Sequence, residues 1–238
     1  MIFAREIDNY LSGKEFSNGI NIRVAEKQSA IPNRLDYVES LAKGKNIIHV
    51  GFADHLPLIP RKIENNTWLH KRIMNVASSC IGIDIDKETV DYVKNTIGIS
   101  DVYALDITDK ASLPPQVLNK QWDYLVLGEV LEHIDNPVHF LGNIANNFRG
   151  IAKRLVITVP NAWDVVNLRS LRKHQELINT DHRFWFTPYT LAKVGTRAGL
   201  KVEEFHLVMN YTPGIWWKKI LLKRYPMMRE TVLMIFEI

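Results

Sequence analysis

Short, nearly all-apolar runs alternate with longer amphipathic ones along most of this chain, and that alternation leaves few folds open. "NIIHV" (46–50), "CIGID" (80–84), "DVYAL" (101–105), "DYLVL" (123–127) and "RLVITV" (154–159) read as strands. They are short, rich in β-branched residues and apolar on both faces, as strands buried in a parallel sheet are. Between them "TWLHKRIMNVAS" (67–78), "KETVDYVKNT" (87–96) and "NPVHFLGNIANNF" (136–148) have helical spacing. Strands alternating with helices predict an α/β fold: a Rossmann-like, mostly parallel sheet with helices on both faces.

The remaining segments extend this plan. In "TPYTLAKVGTRAGL" (187–200), Thr187 is placed to cap a helix, Pro188 to occupy its first position and Gly199 to stop it. "KVEEFHLV" (201–208) and "TVLMIFEI" (231–238) would finish the sheet as an antiparallel pair, with 209–230 inserted between them. "DVVNLRSLRKHQEL" (164–177) reads as the helical part of a lid over 164–186. Residues 1–45 form a cap segment, with a helix over "PNRLDYVESLA" (32–42) begun by Pro32, placed to lie across the strands' carboxyl edge. We expect one domain over 1–238. Apolar residues make up 46% and charged residues 24% of the chain, as in globular domains. No apolar run approaches the roughly 20 residues that span a bilayer. The start, "MIFAREIDNYLSGKEF", lacks the apolar stretch of a secretory signal, and the single Cys80 excludes an internal disulfide framework. A cytoplasmic location is expected.

In open α/β sheets ligands bind outside the carboxyl ends of the strands, so those ends are where chemistry is sought. Gly51 follows the first predicted strand, Asp84 ends the second, and Asp106 follows the third. Gly128 and Glu129 follow the fourth, and Pro160 and Asn161 the fifth. A carboxylate at the end of a second strand can accept hydrogen bonds from both hydroxyls of a ribose. Each residue also has an ordinary reading. Asp84 and Asp106 could cap the next helices, and Asn161 could be a plain turn residue.

Taken in order, the segments "IIHVGFADH", "GIDIDKETV", "ALDITD", "WDYLVLGEVLEHIDNP", "RLVITVPNAW" and "HRFWFTPYTLAKVGTRAGLKVEEF" resemble the class I S-adenosylmethionine-dependent methyltransferases from about Lys45 to Ile238. The resemblance implies a seven-stranded sheet with an antiparallel last strand and S-adenosylmethionine across the ends of strands one to four. It implies that His49, Gly51 and Ala53 line the methionine part, and that Asp84 and Ile85 hold the ribose. Asp106 and Ile107 would lie by the adenine, with Gly128 and Glu129 by the sulfonium. The first loop departs from the family pattern of one acid and three glycines: His49, Gly51, Ala53 and His55 stand there, and only Gly51 is a glycine.

Glu129, Glu132 and His133 fall where methyl donor and acceptor should meet. If Glu129 opens a helical turn, Glu132 and His133 lie on its face at i+3 and i+4. An imidazole titrates near neutrality, so His133 suits a general base for an acceptor hydroxyl, with Glu132 orienting it and Glu129 touching cofactor or substrate. The Glu-x-x-Glu-His pattern, with "TDHRFWFTP" (180–188) downstream, is similar to that of small-RNA terminal 2′-O-methyltransferases and of quinone O-methyltransferases. The first of these resemblances implies a divalent metal held by Glu129, Glu132, His133 and His182. Two carboxylates and two imidazoles suit Mn²⁺, Fe²⁺, Co²⁺ or Zn²⁺ better than Mg²⁺.

The favoured function is O-methylation of a small-molecule or glycan hydroxyl. A cofactor-binding scaffold with weakened catalysis is the alternative that the glycine-poor first loop suggests. A nicotinamide oxidoreductase is disfavoured, because "GFADHL" stands where Gly-x-Gly-x-x-Gly is needed. Net charge is only +4 and no basic stripe follows a strand-end groove, which argues against a nucleic-acid partner. "WWKKILLKRYPMMR" (216–229) interleaves aromatic, aliphatic and basic residues, a composition suited to peripheral contact with an anionic membrane. The ordinary reading of that stretch is an insertion packed on the closing strands.

Overall fold

Each of the apolar runs forms a strand in the computed structural model, which describes residues 1–3, 7–24 and 26–238. The strands are β1 (Asn46–Val50), β2 (Ser79–Asp84), β3 (Val102–Ala104), β4 (Trp122–Gly128), β5 (Ala152–Pro160), β6 (Lys201–Val208) and β7 (Thr231–Glu237). They make one seven-stranded sheet in the order β3-β2-β1-β4-β5-β7-β6. Strands β1 to β5 run parallel, while β7 is antiparallel to both β5 and β6 and lies between them.

The helices are α1 (Ile7–Ser12), α2 (Arg34–Ala42), α3 (Ile59–Glu64), α4 (Leu69–Val76), α5 (Lys87–Tyr92), α6 (Pro115–Leu118), α7 (Pro137–Phe148), α8 (Val165–Leu171), α9 (Pro188–Arg197) and α10 (Trp216–Arg224). Alternation along β1 explains how both faces of the sheet are filled. Ile48 and Val50 join Leu125, Leu127 and Ile157 on the face covered by α7 and α9. Ile47 joins Val126, Val156 and Ile235 on the face covered by Leu35 and Val38 of α2 and Ile73 of α4. The second face also receives His49, which becomes important below. Gly195 on α9 permits close approach to the sheet, since a Cβ there would stand 2.2 Å from Cε1 of Phe236.

Several local expectations change. Thr187 caps α9 through the Thr190 amide, as its position predicts. The helix expected over 32–42 begins instead at Arg34, because Asn33 accepts from the amides of Leu35 and Asp36 and takes the cap position. The lid's helical part stops at Leu171. The cap segment does not lie wholly across the strand ends. Met1 pairs with Phe205 along the edge strand β6, and among the described residues of the segment only Arg34 of α2 lines the strand-end cavity.

Two buried polar side chains pin the insertion. Arg229, fully buried, donates to the carbonyls of Leu222, Leu207 and Ala30 and to the side chain of Gln28. Burial lowers its pKa to about 10. Asn161 is not a wall of the cavity described below: it is fully buried and donates to the carbonyls of Met227 and Arg229. Replacing Arg229 by Met strands these acceptors, and Arg229→Met is expected to cost about 3–5 kcal/mol in urea unfolding. A loss below about 1 kcal/mol would show that the pin contributes little.

Candidate active site

Strand order reverses between β1 and β4, and the strand ends there open onto a cavity of about 810 Å³. Its floor is the turn after β1. Gly51 adopts φ +68, and a Cβ would stand 2.2 Å from Cγ2 of Val130, so only glycine fits. Ala53 lies behind the wall, 2% exposed, and its amide donates to Oδ2 of Asp84 at 3.1 Å. Oδ1 of Asp84 accepts from the Asp86 amide at 3.0 Å. Burial raises the Asp84 pKa against these amide contacts. The carboxylate is thus held rigidly at the cavity margin, as one that must meet a ligand needs to be.

Ile85, 80% exposed, lies beside Asp84 on the lining. Asp106 and Ile107 line the next stretch, with Asp106 accepting from the amide and hydroxyl of Thr108 in a tight turn. That turn role is compatible with ligand contact, because both bonds fall on Oδ1 and Oδ2 has no hydrogen-bond partner among the described residues.

His49 takes the place of the family's usual acid and is 3% exposed, its ring against His70 of α4 with Nδ1 to Nδ1 at 3.3 Å. Burial, with Arg34 nearby, pushes the His49 pKa down to about 3, and burial pushes that of His70 down as well. Both rings are therefore neutral, one donating and one accepting. The site keeps a polar floor here without the negative charge of a carboxylate.

The Glu129–His133 segment does not form the expected helical turn. Glu129 sits in the left-handed region at φ 59, its amide donating to the Thr158 carbonyl, and a 3₁₀ turn follows over Leu131–His133. The strained Glu129 backbone turns its carboxylate toward Arg34, with Oε1 3.8 Å from Nη1. Glu132 is fully buried, and neither carboxylate oxygen has a hydrogen-bond partner among the described residues. Burial, and then the Glu129 charge, push the Glu132 pKa up to about 8.

The lid completes this end. His133 Nδ1 meets Oδ2 of Asp181 at 2.7 Å, so the carboxylate accepts the Nδ1 proton and leaves Nε2 with the lone pair in the neutral ring. The His182 ring stands edge-on to that of His133, with centroids 4.7 Å apart, and buried Nδ1 of His182 has no partner among the described residues. Burial is the main cause of a lowered His182 pKa. Arg183 ties the lid down, donating to the His133 carbonyl and pairing with Asp135.

One donor atom from each of Glu132, His133 and His182 falls within 4.8 Å of the others. Glu129, the fourth member of the expected set, lines the same cavity but lies outside that cluster. Among the expected residues the structure thus brings His49, Gly51, Asp84, Ile85, Asp106, Ile107 and Gly128 to one cavity with Glu129, Glu132, His133 and His182. It adds Arg34 and Phe140, and from the 180–188 stretch Asp181 and Arg183, to none of which the sequence assigned a role.

The methyltransferase domain model matches residues 31–204. No curated protein sequence matches the chain. Among solved structures, magnesium protoporphyrin IX methyltransferase from Synechocystis PCC 6803 with bound SAH superposes with a TM-score of 0.52 at 13% identity, over 85% of this chain and 81% of that one. A putative methyltransferase from Bacillus halodurans C-125 gives 0.52 at 13% identity, over 86% of this chain and 98% of that one. The small RNA methyltransferase HEN1 gives 0.56 at 14% identity, over 92% of this chain and only 27% of that one. At these identities the structures share the fold. The family model covers most of the sequence, strands β1 to β5 and the strand-end cavity included, and the chain belongs to the methyltransferase domain family.

Proposed function

We propose that the protein methylates a hydroxyl of a small-molecule or glycan acceptor with S-adenosylmethionine, aided by a divalent metal. The observation that carries this reading is the buried Glu132 carboxylate, without a partner, beside two histidines at the end of a cofactor-sized cavity. A protein leaves such donors unpaired where a ligand satisfies them.

Asp84 would hold the ribose hydroxyls, and the glycine turn at Gly51 would let the rest of the cofactor lie against backbone. When bound, S-adenosylmethionine supplies an electrophilic methyl group that an oxygen takes up as the carbon–sulfur bond breaks to leave a thioether. Nε2 of His133, whose tautomer Asp181 sets, offers a single lone pair: without metal it would take the acceptor hydroxyl's proton, and with metal held it would be a ligand, the proton passing to water. Glu132, His133 and His182, with Glu129 from the adjoining wall, would hold the metal, which supplies positive charge for gripping acceptor oxygens. Glu129 paired with Arg34 keeps that end of the cavity from accumulating unscreened negative charge.

Calorimetry with S-adenosylmethionine and with NAD separates this reading from the scaffold and oxidoreductase alternatives. Labelled methyl transfer into a cell extract then identifies the acceptor. Binding of S-adenosylmethionine and a labelled product, lost with chelator and restored by Mn²⁺ or Co²⁺, is the expected result. Full transfer in the presence of chelator removes the metal, and absence of cofactor binding removes the enzyme.

A further inference from the structure

The insertion between β6 and β7 carries a surface that neither the sheet nor the cavity uses. Helix α10 fully buries one side chain, Leu222. Trp216 is 72% exposed and Ile220, one turn on, 57%, while Ile215 and Trp217 are exposed beside them. Lys219 and Lys223 alternate with these residues on the same face, at i+3 and i+7 from Trp216. The Arg169 guanidinium of α8 lies 5.7 Å from the centroid of Trp217, which joins α8 to this surface.

The basic groups are not spent on internal pairs. Arg169, Lys218, Lys219, Lys223 and Arg224 take part in no ion pair among the described residues. Half-buried Asp164 and Glu230 lie near Lys218 and offset part of its charge, while the other four basic groups have no such neighbour in an ion pair among the described residues. A surface that leaves two tryptophans and two isoleucines in water beside uncompensated positive charge is one that something covers.

Its chemistry selects among coverings. A second copy of the same surface would bring like charges together. A single-stranded nucleic acid needs a groove along which bases stack, and a helix face with outward tryptophans is convex. An anionic bilayer satisfies both features at once: tryptophans settle at the headgroup level, and lysine ammoniums meet lipid phosphates while their stems stay in the apolar boundary.

We propose that the α8–α10 surface docks the protein on an anionic phospholipid membrane. The lid runs from Arg169 in this surface to His182 at the cavity, so docking would bear on the lid and through it on the active site. That consequence, which suits an acceptor anchored in lipid, rests on the methyl-transfer reading. The docking itself does not.

The test is flotation of the full chain with vesicles of phosphatidylcholine alone and with phosphatidylglycerol added. Binding is expected to the anionic vesicles, to weaken with salt, and to fall about fivefold for each lysine neutralised in Lys219→Gln and Lys223→Gln. Trp216→Ser is expected to weaken it further. Calorimetry with S-adenosylmethionine on the same variants should be unchanged, which keeps failure of docking distinct from failure of the cofactor reading. Equal partition to neutral and anionic vesicles, or no partition to either, overturns the proposal. So does a Trp216-dependent dimer in ultracentrifugation, or polyuridylate RNA binding that the two lysine substitutions abolish while vesicle binding persists.

Discussion

Asp84→Ala is expected to weaken S-adenosylmethionine binding by about 100-fold or more, in addition to the stability lost with its two amide contacts. Hydrogen bonds to a charged group contribute about 1.5–3 kcal/mol each, and a carboxylate that holds two ribose hydroxyls would lose both. The carboxylate is prepared for that role. Amides of Ala53 and Asp86 fix its orientation, and burial makes any further donor more valuable to it. The same two amides are what a purely structural residue would serve. Asp84→Asn distinguishes the roles, because its carbonyl oxygen keeps one amide contact while the negative charge is gone. If Asp84 only braces the first loop, Asp84→Ala should lower the unfolding free energy by about 1–2 kcal/mol per lost partner and leave affinity per folded molecule intact. Calorimetry alongside thermal unfolding reads both quantities, and unchanged affinity would remove Asp84 from the cofactor site.

The sheet was legible because strands buried on both faces must be apolar almost throughout, and β1, β2, β4 and β5 are. The strand ends were legible for the same reason, since a polar residue that stops an apolar run marks where the sheet meets solvent or ligand. What could not be read is the approach of residues distant in sequence. His70 sits in a helical pattern where nothing marks it as the neighbour of His49, and Arg34 lies in a segment before the first strand. Asp181 acts on His133 across 48 positions, through a lid whose path depends on Arg183. The helical turn expected at Glu129 failed because the chain must reverse sharply as β4 ends. A left-handed residue followed by a 3₁₀ turn makes that reversal where an α-helix would not. Periodicity cannot foresee a single positive φ at a glutamate. It places the three side chains in one neighbourhood without giving their geometry.

Glu132→Gln is expected to stabilise the metal-free protein while abolishing methyl transfer. The folded state holds the Glu132 proton up to about pH 8, whereas an unfolded glutamate releases it near its ordinary value of 4.5. Between those values the folded chain binds more protons than the unfolded one, so wild-type stability falls as pH rises through the window. Below it the residue is neutral in both states and the penalty vanishes. Gln carries no charge at any pH, so its advantage should be small at pH 4.5 and grow to roughly 4 kcal/mol at pH 7.5. Glu129 contributes part of the penalty through its charge, so Glu129→Gln should show a smaller gain that likewise grows with pH. Urea unfolding across pH 4.5–8 reads these differences. Added Mn²⁺ should then reverse the order, since an ion that binds only the folded wild type recovers the energy that burial of the carboxylate withholds. A Glu132→Gln protein no more stable than wild type at pH 7.5, with parallel pH profiles, would mean that solvent or an internal donor already satisfies Glu132. The buried carboxylate would then be no sign of a ligand site.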